Sequence, residues 1–116
     1  MKILALAIAL CACQTAGGGD ETADAKAVAH QFFDALGRGD CTTLGPLVPA
    51  AAAQCDKFVH EWRDDLKLSL VDIPDIRRDG RDARAIIVTT TVMRRGNQET
   101  LQLRMTHAGG VWHFVL

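Results

Sequence analysis

The chain has no tyrosine, and it has only two tryptophans and four phenylalanines among its 116 residues. Without tyrosine, no phenolic hydroxyl can donate a hydrogen bond or a proton in a site. The C-x-x-C and H-x-x-x-H spacings typical of zinc sites are also missing, and no apolar run reaches the roughly 20 residues that a membrane-spanning helix needs. We therefore expect no metal and no cofactor.

Neither sign of charge predominates, because the formal net charge is only −1. A balanced chain has no global field that attracts nucleic acid, so we expect no nucleic-acid partner. Charged residues do concentrate in a predicted loop at residues 74–82, where arginines and aspartates alternate. A solvated surface and a local anion or nucleic-acid patch are both compatible with this cluster, which comprises Asp75, Arg77, Arg78, Asp79, Arg81, Asp82 and Arg84.

The first residues have the layout of a secretory signal. Lys2 precedes an apolar run at residues 3–12, and small residues follow. A short apolar segment oriented by a positive charge is typical of export signals. The alternative interpretation is a buried N-terminal helix or strand. The sequence therefore predicts a signal peptide at residues 1–12.

The segment Leu10-Cys11-Ala12-Cys13 resembles the lipobox of bacterial lipoproteins. The resemblance implies cleavage before Cys13 and diacylglycerol on its sulfur, with the membrane as partner through this lipid anchor. A second, weaker match ends at Cys11. Gln14 after the lipidated cysteine implies a position on the outer membrane, facing the periplasm, in a Gram-negative cell. The glycine-rich residues 13–22 are predicted to form a flexible tether between the anchor and the domain.

Two cysteines remain after this assignment, Cys41 and Cys55. Outside the cytoplasm such a pair is most often a disulfide, here closing a loop of about 15 residues. A loop of this size stabilises a domain by about 3 kcal/mol in the chain-entropy model. A metal site or a catalytic thiol is the alternative interpretation of the pair.

Hydrophobic periodicity predicts one α+β domain over residues 23–116. Thr22 is expected to cap a helix at residues 23–36, Asp40 a short second helix, and Pro49 to open a third at residues 50–66. From Lys67 the period becomes two, which indicates strands at residues 66–70, 83–94, 100–107 and 111–116. N-terminal helices packed on a curved four-stranded antiparallel sheet account for this order.

The last strand places Trp112, Phe114 and Leu116 on the face that packs against the helices. Val111 and Val115 are then left for the opposite face, together with one register of the strand at residues 83–94. An apolar second face predicts that a second copy of the chain covers it as a homodimer, or that the sheet bends around an internal pocket.

Two segments resemble the NTF2-like, or cystatin-like, superfamily, in particular small bacterial lipoproteins whose domain has no known function. Residues 27–40 (AVAHQFFDALGRGD) are similar to its opening helix, and residues 109–114 (GGVWHF) are similar to its last strand. The resemblance implies helices packed on a curved sheet that forms a cone. This superfold hosts enzymes, binding modules and interaction domains, so it does not decide the function.

His107 is the strongest candidate for chemistry, since it shares a register with Met105 and would act as a base in a hydrolase, isomerase or dehydratase. No carboxylate is placed beside it, so we predict no catalytic residue. His30 and His60 are expected on exposed helix faces, and His113 on the outer sheet face. Residues that form either the core or a pocket for a small apolar ligand are Phe32, Phe33, Phe58, Trp62, Met105, His107, Trp112 and Phe114.

These observations favour a non-enzymatic accessory domain that binds or interacts at the cell envelope. The expected partner is an envelope protein, a second copy of the chain or a small apolar ligand. An enzyme that uses the cone is the alternative.

Overall fold

The computed structural model describes residues 5–108 and 110–116, with side chains from residue 22 onward except at position 83. Helices come first and strands follow, which confirms the predicted α+β class. The strands form one antiparallel sheet in the order β1-β2-β3-β4. Their bounds are β1 Ser69–Asp79, β2 Asp82–Arg94, β3 Asn97–Ala108 and β4 Val111–Val115. Among the described residues, no helix is long and apolar enough to cross a membrane.

Helix α1 covers Ala5–Arg38 and is longer than predicted, so Thr22 lies within it and does not cap it. Alanine and leucine are strong helix formers, and they continue the helix toward the N-terminus. Residues 13–22 are therefore helical in the full-length chain. Their prediction as a tether concerns the chain after cleavage and stays a prediction. Residues 1–4 of the predicted signal peptide and the side chain of the predicted lipidation site, Cys13, lie outside the described residues.

Helix α1 ends at Arg38, two residues beyond the predicted end at residue 36, and Gly39 sets this end. Gly39 has a φ of +67°, a left-handed conformation that glycine adopts without strain. Its N–H donates to the Leu36 carbonyl at 3.1 Å, and the Asp40 N–H donates to the Ala35 carbonyl at 2.9 Å. This pair of bonds is a Schellman motif, which satisfies the last carbonyls of a helix. The chain then turns directly into the next helix.

Helix α2 covers Cys41–Leu47 and is capped by Asp40, which confirms that prediction. The Asp40 carboxylate accepts hydrogen bonds from the Thr43 N–H at 3.2 Å and from Thr43 Oγ1 at 2.8 Å. These bonds are the first cause of a lowered pKa for Asp40, and Arg38 contributes further. Because Asp40 ends one helix motif and begins the next, it fixes the angle between α1 and α2.

The predicted third helix is divided into three helical segments. A 3-10 helix covers Pro49–Gln54, α3 covers Cys55–Val59, and a π-helix covers His60–Asp65. A π-helix contains an extra residue in its turn. This brings His60 near both Asp64 and Asp65, with nitrogen to oxygen distances of 3.4 and 3.6 Å. Uniform helical periodicity in the sequence does not distinguish these three geometries.

The predicted loop at residues 74–82 is wrong for most of its length, because β1 continues through Pro74 to Asp79. The register against β2 shifts between Leu70 and Asp72 and again between Asp72 and Asp75. Proline lacks the N–H that a central strand would need, but it is tolerated at bulges and on edge strands. β1 is an edge strand of the sheet, so Pro74 interrupts the pairing without ending the strand.

The remaining turns are short. Arg95 and Gly96 connect β2 to β3 and have φ values of +53° and +85°. Positive φ at both positions matches the right-handed twist of a two-residue hairpin. The connection between β3 and β4 includes Gly109, which lies outside the described residues.

The sheet buries the alternate residues of β2 and β3 against the helices. Ile86 pairs with Met105 and Val88 pairs with Leu103, and all four are at most 4% exposed. Thr90 is also fully buried and donates from Oγ1 to the Leu101 carbonyl at 2.7 Å. The core cluster is completed from the helices and β4 by Ala25, Ala29, Phe32, Phe33, Leu36, Leu44, Leu47, Val48, Cys55, Val59, Trp112 and Phe114, among others.

The opposite face of the sheet is more polar than the sequence analysis predicts. Thr89 pairs with Gln102 and Thr91 pairs with Thr100 on that face. Val111 and Val115 are about half exposed there, at 46% and 47%. The prediction that Leu116 packs against the helices is wrong. This residue is 46% exposed, because β4 ends at Val115.

Candidate functional site

Aromatic side chains between the helices and the sheet pack against each other. Phe32 on α1 is the centre of this cluster, with its ring centroid 4.6 Å from that of Phe114 and 6.0 Å from that of Trp62. Phe58 lies 4.9 Å from Trp62 by the same measure. Phe32 and Phe114 are buried, whereas Phe58 and Trp62 are half-buried at the edge of the cluster.

The other residues predicted as core or pocket follow the same division. Phe33, Met105 and Trp112 are buried. A small space on the inner side of Cys55, lined in part by Leu44 and Phe58, has no room for a water molecule. Among the described side chains, every buried nitrogen and oxygen has a hydrogen-bond partner. The buried polar atoms of the described side chains therefore leave no unpaired group facing the interior.

His107 lies at the end of β3 and is exposed. Its ring is stacked on Trp112, with a centroid distance of 4.6 Å and an interplanar angle of 26°. Within the described part of the chain, no ion pair or hydrogen bond joins His107 to a carboxylate. General base chemistry needs an orienting partner within hydrogen-bond reach. His107 has a stacking contact with the Trp112 indole in place of such a partner.

The three other histidines occupy different surfaces. His30 and His60 are exposed on helices, as predicted. His113 has a role that the sequence analysis missed, since its Nδ1 lies 3.0 Å from the Pro46 carbonyl oxygen at the end of α2. Because a carbonyl only accepts, Nδ1 must carry the proton in this hydrogen bond. The bond links α2 to the edge strand β4.

A cluster of charged side chains joins three strands of the sheet at its β1-β2 hairpin. Arg104 on β3 donates from Nε to Asp79 at 3.0 Å and from Nη2 to Asp82 at 3.3 Å. Asp79 also accepts from the Arg81 N–H at 2.9 Å, and its side chain is only 7% exposed. The Arg81 N–H bond is the main cause of a lowered pKa for Asp79, followed by Arg104.

Within this cluster, Asp79 departs from the interpretation as a solvated surface, since its side chain is only 7% exposed. Asp79 and Asp82 pair across the β1-β2 hairpin, and Arg104 reaches both of them from β3, the strand beside β2. Arg81 is 94% exposed and extends into solvent beside them. Asp79 and Arg104 are far apart in the sequence, so their ion pair cannot be predicted without the strand register.

Cys41 and Cys55 form a disulfide that connects α2 to α3, with Cα atoms 5.9 Å apart. Cys55 is 9% exposed and belongs to the core cluster, whereas Cys41 is half-buried. An open depression of about 440 Å³ lies over the bond and is lined in part by Asp56 and Lys57.

Within the described residues, no cluster of three or more histidine, cysteine, aspartate or glutamate side chains could hold a metal ion. Comparison of the sequence with protein-family models and with curated proteins found no match.

Proposed function

We propose that the protein is a lipoprotein of the bacterial cell envelope. Residues 1–12 direct export and are removed, Cys13 is acylated, and residues 13–22 tether an NTF2-like domain formed by residues 23–116. In a Gram-negative cell the anchor lies in the outer membrane and the domain faces the periplasm. The observation that carries the proposal is the Cys41–Cys55 disulfide, because disulfides persist in oxidising compartments outside the cytoplasm.

A run of glycines in the N-terminal segment supports the tether. Residues 17–19 are three consecutive glycines, and each costs a helix about 1 kcal/mol relative to alanine. After cleavage before Cys13, these glycines would lie in the first turns of any helix that remained. Local helix stability there is low, and a lipid-anchored domain benefits from a flexible connection to the bilayer.

We propose that the domain acts as an accessory binding or interaction module. The interior groups of the described residues are packed and hydrogen-bonded to one another, and His107 is stacked on Trp112. These features favour contact with a partner over acid-base chemistry in the interior. An envelope protein, a second copy of the chain or a small apolar ligand is the proposed partner.

Metabolic labelling with a palmitate analogue tests the anchor. The wild-type chain should incorporate the label in a bacterial host, and Cys13→Ala should abolish incorporation. Cys11→Ala is the matched control, because it removes the neighbouring cysteine and keeps the proposed site. Label that persists in Cys13→Ala but disappears in Cys11→Ala would place cleavage at the other cysteine and contradict the proposed boundary.

The proposed homodimer would form through the outer face of the sheet. Val111 and Val115 lie half-exposed on β4, and Val115 pairs with Arg104, which in turn pairs with Ile87. Sedimentation equilibrium of the detergent-solubilised protein should detect a dimer that Val115→Asp weakens. Val71→Asp, at an exposed valine on the opposite edge strand, is the control. A monomer at all concentrations would remove the dimer from the proposal.

A further inference from the structure

The two residues of the Cys41–Cys55 disulfide differ in exposure. Cys41 is half-buried, whereas Cys55 is 9% exposed and packs in the core cluster. A thiolate attacks a disulfide sulfur directly, so the attacked atom must be reachable from solvent. An open depression of about 440 Å³ is lined by both cysteines and gives an attacking thiol a place beside the bond. Space on the inner side of Cys55 is too small for water.

Charge distinguishes the sulfurs in the same direction. Asp56 Oδ1 lies 3.7 Å from Cys41 Sγ. A carboxylate at that distance disfavours a negative charge on Cys41, which makes Cys41 the poorer leaving group. Exchange is faster when the better leaving thiolate departs, so the carboxylate favours a break with the electron pair on Cys55. Burial of Cys55 in the core opposes this effect, and the greater exposure of Cys41 decides which cysteine is attacked.

We propose that Cys41 is the modification site at which external thiols and thiol-disulfide oxidoreductases react with this protein. The external thiolate forms a bond to Cys41 Sγ as the Cys41–Cys55 bond breaks, and Cys55 leaves as a thiolate that takes a proton from water. A second thiolate then attacks the external sulfur of the mixed disulfide. Cys41 is released as a thiolate, and the two external thiols end as one disulfide, having supplied two electrons.

Asp56 has a second effect on the same reaction, because its carboxylate repels an incoming anion. It therefore slows attack while directing the attack to Cys41. Lys57 lines the same depression and has the opposite charge. The proposal predicts that the exchange rate depends on the charge of the attacking thiol, and that this dependence decreases when Asp56 is neutralised. The assignment does not depend on export or anchoring, since the disulfide and its surroundings belong to the folded domain.

Peptide mapping of the mixed disulfide tests the assignment. The oxidised full chain, purified in mild detergent, is treated briefly with excess glutathione, quenched in acid and treated with N-ethylmaleimide before digestion. We expect glutathione on Cys41 and maleimide on Cys55, with Cys41 favoured by about tenfold, since burial and charge both determine thiol reactivity. In denaturant the preference should disappear. Glutathione mainly on Cys55, an equal distribution in the folded protein, or reaction only after unfolding would each overturn the proposal.

The variant Asp56→Asn tests the charge argument separately. Glutathione carries net negative charge, whereas the cysteamine zwitterion is neutral overall. Asp56→Asn should raise the glutathione rate by about threefold at low salt, with a smaller change for cysteamine, since a nearby exposed charge contributes an energy of that order. Lys57→Gln, the control of opposite charge, should lower the glutathione rate. An unchanged ratio of glutathione to cysteamine rates in Asp56→Asn would contradict the assigned role of Asp56.

Discussion

Asp79 combines burial with a retained charge. Its carboxylate accepts hydrogen bonds from the Arg81 N–H and from Arg104 Nε, and both interactions favour the ionised form. The pKa of Asp79 is accordingly lowered from 3.8. Together with Asp82, Asp79 connects the β1-β2 hairpin to Arg104 on β3.

Stability should therefore decrease in acid. A carboxyl group whose folded pKa is lowered contributes stability above its unfolded pKa of about 3.8, and that contribution is lost as the pH falls through the lower folded value. Asp79→Asn should lower the urea midpoint at pH 7, and the difference from wild type should shrink below pH 3.8. Asp82→Asn is the control, with a smaller effect expected because its side chain is 34% exposed. A wild-type advantage that persists undiminished in acid would contradict this role.

His113 connects two elements through one hydrogen bond to the Pro46 carbonyl. His113→Ala should reduce the free energy of unfolding by about 1 kcal/mol, the usual net value of such a bond. His113→Asn is the informative comparison, because its amide N–H₂ can replace the Nδ1 donor. Urea unfolding of both variants checks the prediction. Equal losses for the two variants would indicate that the ring packs rather than donates.

Two glycines near the end of α1 should respond oppositely to alanine. Gly39 has a φ of +67°, and an added Cβ would lie 2.9 Å from Arg63 Nη1, whereas a Cβ at Gly37 meets no atom within 4 Å. We expect Gly39→Ala to destabilise the protein by about 1–2 kcal/mol and Gly37→Ala to stabilise it by about 0.5–1 kcal/mol. Thermal unfolding of the two variants measures the difference. Effects of the same sign would contradict the helix end described here.

The disulfide links α2 to α3, two helices that are short on their own. Replacing both cysteines with alanine should lower the free energy of unfolding by about 3 kcal/mol in the chain-entropy model. Urea unfolding of the double variant against oxidised wild type provides the value. Thiol titration of protein recovered from the envelope should find Cys41 and Cys55 both blocked. Free thiols at both positions would show that the bond does not form in the cell.

Periodicity in the sequence is sufficient to predict the elements that bury one face. The apolar positions of α1 and the alternation in β2 both predict burial, because helices repeat every 3.6 residues and strands every two. The same reasoning fails at Pro74. A proline favours a loop, and it is compatible with a strand mainly where that strand lies at the edge of the sheet or has a bulge, which the sequence does not reveal. The outer sheet face was misjudged because the threonines of β2 suit a strand without indicating which face is polar.

The polar contacts were beyond prediction for a different reason. Arg104 meets Asp79 across 25 positions of the chain, and His113 meets Pro46 across 67. Pairs at such separations depend on strand register and on where a helix ends, and neither is specified by local composition. The pairing of Cys41 with Cys55 could be predicted from the sequence, because only two cysteines remain once the N-terminal pair is assigned to the signal and anchor.

At the scale of the whole molecule, the chain is a packed domain preceded by the N-terminal segment that we propose directs export. Its interior is filled by aliphatic and aromatic side chains, and its disulfide suits an oxidising compartment. Two acyl chains would hold such a domain at a membrane far more firmly than one. The account of the whole protein therefore depends on processing at Cys13.

The mass of the N-terminal peptide of the protein isolated from cell membranes tests that processing directly. The account predicts a chain that begins at Cys13 and carries diacylglycerol on the cysteine sulfur, with no peptide from residues 1–12. A chain that retains Met1, lacks fatty acid and is recovered from the cytoplasm would contradict it.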